Sequence, residues 1–145
     1  MEVPKLKPIE TTVPTKPAEL QKWLAAGHYK KWPHETKPHP SKGPHDDVVV
    51  FLSPAVATTL NERKPVHPQG AAAVKETYKG GKHAGWAVGV KTKPDSDDGN
   101  NWYWYEVAST AANAKPTYQG VGYQACRECH GESTRDNILS AYPLK

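Results

Sequence analysis

Apolar residues in this chain fall into short, separated groups, and the spacing inside each group predicts a different element. In residues 17–27, Leu20, Trp23 and Leu24 recur at helical spacing, Pro17 suits a first helical turn and Gly27 a stop, which predicts a short amphipathic helix. The run at 48–52 is continuously apolar and rich in valine, as expected of a buried strand. Ser53-Pro54 then reads as the N-cap and first turn of a helix reaching about Arg63, with Pro65 and Pro68 ending it. Residues 71–78 predict a strand, Lys79-Gly80-Gly81-Lys82 a hairpin connection, and residues 85–91 the returning strand. A polar loop at 95–101 precedes a fourth strand, 102–107, crowded with aromatic rings. Period two puts Ala71, Ala73, Lys75 and Thr77 on one face of their strand, and Trp102, Trp104 and Glu106 on one face of theirs. Four strands with tight connections predict an antiparallel sheet with the helices at its ends or on one face, an α+β, sheet-rich fold.

The rest of the chain carries no such period. Residues 1–16 hold Pro4, Pro8 and Pro14 among charged residues and read as an extended proline-rich arm, without the apolar central stretch of an export leader. Residues 28–47 place His28, His34, His39 and His45 between prolines and read as a loop. Residues 118–122 are also loop-like, and two short helical stretches are expected within 123–142. With 145 residues, 37% of them hydrophobic, 14 prolines and 11 glycines, the chain has room for one modest core, so residues 17–145 are expected to form a single domain. No run of eighteen apolar residues occurs, which argues against a membrane span. The formal charge of +4 is scattered, with no basic stripe interleaved with aromatics, so no nucleic-acid partner is expected.

The chemistry is concentrated in Cys126-Arg127-Glu128-Cys129-His130, the spacing of c-type haem attachment. Residues three and four apart share a helix face, so two sulfurs can bond the vinyl groups of one haem c while the next imidazole turns to the iron. Cys126 and Cys129 are then the thioether anchors and His130 the proximal ligand, on a C-terminal attachment helix, with its other ring nitrogen fixed by a carbonyl or carboxylate. A structural zinc site needs four Cys or His ligands, and there is no second cysteine pair. A thioredoxin-like pair opens a helix inside a longer strand-helix unit, whereas fifteen residues follow His130. Thioether attachment takes place outside the bacterial cytoplasm, so a periplasmic or secreted protein, exported on a leader since removed, is expected. A methionine as sixth ligand would mark an electron-transfer cytochrome. Met1, at the tip of the arm, is the chain's one methionine, so that ligation is not expected. The remaining candidates for the sixth position are a histidine of the His34 to His45 loop (His34, His39 or His45), then His67, His83, a lysine, or an open site.

A set of segments carries a family resemblance: 68–76 (PQGAAAVKE), 85–91 (GWAVGVK), 101–106 (NWYWYE), and the late Cys126-x-x-Cys129-His130 with Tyr142-Pro143. Taken together, in this order, they resemble cytochrome P-460, over roughly residues 18–144 and best from Val48 onward. The resemblance implies a sheet-rich mono-haem c domain that is usually a homodimer. It also implies a small nitrogen or gaseous ligand at the iron, hydroxylamine or nitric oxide in the first instance, and a redox partner protein. The related beta-type cytochromes c-prime bind nitric oxide or carbon monoxide at an open iron. In hydroxylamine-oxidising members a strand lysine is bonded to the haem ring, and Lys75 matches that position. Those members also carry a carboxylate near the iron on the next strand, where this chain has Ala87. No acidic residue lies between Thr77 and Pro94. Glu106 or Glu76 replaces that carboxylate only if its strand turns it toward the iron, and Glu76 alternates away from Lys75. Three functions follow as expectations: an enzyme oxidising a small nitrogen compound, a gas-binding protein, and an electron carrier with a histidine closing the sixth position.

Overall fold

The computed structural model describes residues 12–41, 45–130, 133, 136–138 and 144. Six antiparallel strands form one sheet in chain order: β1 (His39–Pro40), β2 (Asp47–Leu52), β3 (Ala72–Lys79), β4 (Lys82–Lys91), β5 (Trp102–Val107) and β6 (Tyr118–Val121). Three short helices accompany it: α1 (Pro17–Ala25), α2 (Pro54–Asn61) and α3 (Gln124–His130). The fold is therefore α+β and sheet-rich. No described helix is long and apolar enough to cross a membrane.

Strand alternation divides the core in two. Val49, Phe51, Val74, Trp86, Val88, Tyr103 and Tyr105 point to one face, where Leu20, Trp23 and Leu24 of α1 cover them. Val48, Val50, Leu52, Ala73, Trp102 and Trp104 point to the other, under Val56 and Leu60 of α2 and Ile138. The β3–β4 hairpin turns through Gly80 and Gly81, both at positive φ (58° and 78°), which favours glycine at each. Ser53 caps α2 by accepting from Val56 N (3.4 Å) and also accepts from Ala72 N (3.0 Å), so one hydroxyl joins the helix start to β3.

Several details differ from the sequence-based expectations. Residues 118–121 form the edge strand β6, because β5 offers a free row of backbone groups and pairing there needs no apolar alternation: Tyr118 and Val121 are exposed. β1 is a two-residue pairing inside the histidine loop, with His39 opposite Val48. α2 stops at Asn61 rather than Arg63, which takes a left-handed φ of 55°. The arm is described from Thr12 on, and there Val13 is buried in the α1-side core. Of the two helical stretches expected near the cysteines, α3 is the first; the second falls mostly outside the described residues, where 136–137 are a turn. Met1, Tyr142 and Pro143 also lie outside them.

Candidate haem-binding cleft

Strand register, more than sequence distance, assembles this site. Lys75 on β3 pairs with Ala87 on β4, and Ala87 pairs with Glu106 on β5. Directly paired residues project to the same face, so Lys75, Ala87 and Glu106 form one row, with Lys75 and Glu106 separated by two strand spacings, about 10 Å. Glu106 thus faces the same side as Lys75, one strand beyond Ala87. Glu76 lies on the opposite face as expected. There its carboxylate accepts from Tyr29 Oη (2.5 Å), Lys30 Nζ (2.6 Å) and Tyr78 Oη (2.8 Å).

The row opens into a cleft whose other wall is α3 and residues 137–138, and Cys126 and His130 line it together with Lys75, Glu106 and His45. Its floor is flat because small residues, Ala73, Ala87 and Gly89, occupy it between the larger ones. At Gly89 a Cβ would lie 2.8 Å from Trp104 Cζ3, so only glycine lets that indole lie against β4. Trp104 stacks on Trp102 (5.5 Å, 15°), and the His130 ring packs on Trp104 at 4.6 Å. The cleft holds a cavity of about 30 Å³ beside these rings.

The proximal geometry is specific. His130 Nδ1 lies 2.7 Å from the Asn137 carbonyl oxygen. A carbonyl only accepts, so Nδ1 carries the proton and Nε2 is the nitrogen left for a metal. Burial, with the nearby Lys75 ammonium, pushes the His130 pKa down to about 4, so the imidazole is neutral, the form that ligates metals. The sequence required such a carbonyl without identifying it, since any residue brings one. Of the other histidines, His45 reaches the cleft, where Nδ1 is 3.1 Å from Glu106 Oε1. His39 does not line it: Nε2 is bound to Glu35 Oε2 (2.7 Å) and Nδ1 to Pro40 O (2.9 Å). His67 is buried away from it, its backbone N–H donating to Asp136 and its carbonyl accepting from Lys91. His83 stacks on Tyr78 at the far end of the β3–β4 hairpin. Cys129 belongs to α3, one turn beyond Cys126.

Among the described residues no group of three or more His, Cys, Asp and Glu side chains is arranged to hold a metal ion. The residues suit the covalently attached haem that the Cys126–His130 spacing leads one to expect: a helix bearing both cysteines, a neutral imidazole with its second nitrogen anchored, and a sheet face floored with small side chains. No family model matches this chain, and neither a curated protein nor a solved structure is similar to it at a significant level.

Proposed function

We propose that this chain is a mono-haem c-type protein of the cytochrome P-460 type that binds and oxidises small nitrogen species, such as hydroxylamine, and passes the electrons to a redox partner protein. The observation that carries this reading is the convergence of His130, its Nδ1 anchored on Asn137 O, with Lys75 and Glu106 on one cleft. Cys126 and Cys129 would hold the haem as thioethers, each S–H adding across a vinyl group, and His130 Nε2 would ligate its iron. When bound, the group supplies an iron that takes the substrate nitrogen and its electrons. Lys75 stands at the floor of the cleft and, once its ammonium has lost a proton, would bond the ring edge through nitrogen, a C–N bond replacing one N–H and one ring C–H while two electrons and two protons pass to an oxidant such as hydrogen peroxide. Oxidising N–H and O–H bonds releases protons, and Glu106, which lines the same cleft, would be the carboxylate that accepts them. His45 Nδ1–H holds Oε1 of that carboxylate, so Oε2 takes the proton. The Glu106 and His45 side chains are 26% and 15% exposed, which gives the proton a way out to solvent. Export to the periplasm or beyond and assembly as a homodimer belong to the same proposal.

His45 supports a second reading. With Nδ1 held by Glu106, its Nε2 is a candidate sixth ligand, and the chain would then be an electron carrier.

A ferrous optical spectrum with and without carbon monoxide, followed by a hydroxylamine turnover assay, separates these. The proposal expects a strongly red-shifted Soret band, a prompt change with carbon monoxide, and turnover. An ordinary ferrous c-type spectrum removes the Lys75 bond. Carbon monoxide binding without turnover replaces the enzyme by a gas-binding protein, and no response to carbon monoxide favours the His45-ligated carrier. Cys126→Ala protein that keeps a full complement of tightly held haem would overturn the attachment itself.

A further inference from the structure

The Lys91 side chain is fully buried, an unusual state for a lysine, and so is the Asp136 carboxylate beside it: their side chains are 0% and 5% exposed. Lys91 Nζ donates to Asp136 Oδ2 (2.6 Å) and to the His67 carbonyl (2.7 Å). Asp136 also accepts from the His67 backbone N–H (2.7 Å) and from Ser96 Oγ, whose oxygen accepts from Trp102 Nε1 (2.7 Å). The end of β4, the loop after α2 and the loop before β5 all converge on this one carboxylate, and β5 reaches it at one remove through Ser96.

The next residue is Asn137, whose carbonyl holds His130. Asp136 and Asn137 are consecutive left-handed residues, φ 52° and 67°. Asp and Asn tolerate that conformation better than other side chains, but two in succession are unfavourable unless surrounding contacts impose them. Ile138 then buries its side chain against the sheet. A buried ion pair is a poor source of stability compared with an apolar pair of the same size, and its best-attested use is to fix one geometry among several.

We infer that Lys91 and Asp136 form a buried clamp that positions the proximal histidine, holding the 136–137 turn so that the Asn137 carbonyl accepts the hydrogen bond from Nδ1–H of His130. Neither side chain touches the iron site; both are positioning residues acting through a backbone carbonyl. The consequence for haem rests on the proposed function above, while the clamp itself is a property of the polypeptide. A carbonyl on Nδ1–H raises the donor strength of the imidazole and favours the oxidised iron, so losing it raises the reduction potential.

Three variants test the clamp: Asp136→Asn, the double variant Lys91→Met/Asp136→Leu, and Ser96→Ala, which keeps the ion pair and loses one bond to Asp136. The double variant replaces the charges by apolar groups and keeps the experiment decisive should Asp136→Asn alone fail to fold. In folded protein, checked by circular dichroism, Asp136→Asn or the double variant is expected to lower the iron–histidine stretching frequency in resonance Raman and raise the midpoint potential. Ser96→Ala shifts both in the same direction by less. An unchanged stretch and potential in the folded variants would overturn the inference. Parent protein isolated without thioether-bound haem sinks the proposed function instead. In that protein 15N-histidine NMR reads the clamp directly: His130 is expected as the Nδ1–H tautomer in the parent and as a mixture in Asp136→Asn, and the same tautomer in both rejects the clamp.

Discussion

Glu106 and Lys75 are thirty-one positions apart in the chain and share one cleft because two strand pairings put them in one row. The Cys126, Cys129 and His130 set was legible in the sequence, since a five-residue spacing on one helix fixes its own geometry. Glu106 was legible only as an acidic residue on a strand whose facing was open, and His45 only as one of several loop histidines. Asn137 was not legible at all, because its contribution is a backbone carbonyl, and neither was the Lys91–Asp136 pair. At this scale the expected outcome is that Glu106→Gln lowers hydroxylamine turnover at least about 100-fold, the usual span for removing a general base. Haem content and carbon monoxide binding stay at parent levels. Turnover within a few fold of the parent, by stopped-flow reduction of an electron acceptor, would remove Glu106 from the mechanism.

Between elements, close approach matters more than propensity. Gly85 of β4 lies so near β5 that a Cβ there would sit 2.0 Å from the Val107 carbonyl oxygen. Backbone atoms cannot rotate away, so Gly85→Ala has to part the two strands that carry Ala87 and Glu106. A loss of about 3 kcal/mol in urea unfolding is expected, at the upper end of overpacking costs. Gly81→Ala in the hairpin strains only a φ and is expected to cost about 1 kcal/mol. Equal losses for the two variants would contradict the assignment of Gly85 to close strand packing. The alternation on β3, β4 and β5 was readable because both faces are buried and each has its own apolar set. β6 escaped because an edge strand held by backbone bonds leaves no pattern in its side chains.

Across the whole molecule the second face of the sheet carries its own polar centre. Trp86 Nε1 donates to Tyr29 Oη (2.8 Å), and Tyr29 donates to Glu76, which Lys30 and Tyr78 also hold. Burial alone would push the Glu76 pKa up, but the Lys30, Tyr29 and Tyr78 donors outweigh it and keep the carboxylate below its ordinary 4.5. A depressed carboxylate contributes stability that is complete above its unfolded value and is lost as pH falls through the folded one. Thermal stability is therefore expected to decline from about pH 6.5 downward, as the unfolded chain protonates the histidine that the fold holds neutral, and to fall more steeply below about 4.5 as Glu76 is protonated. Glu76→Gln costs about 2 kcal/mol at neutral pH, through weakened bonds to buried donors, and flattens the acid limb. A Glu76→Gln protein with the parent's acid limb in differential scanning calorimetry would assign that limb to other groups.

The sequence by itself determined the alternation of the main strands, the two helices that open with proline, and the Cys126–His130 constellation, because each is encoded within a few neighbouring residues. The tertiary structure alone decided which carboxylate shares the face of Lys75, which histidine joins it, and which carbonyl accepts from His130 Nδ1–H. Those choices depend on register between strands and on a turn held from three separate places in the chain, and no local spacing contains them.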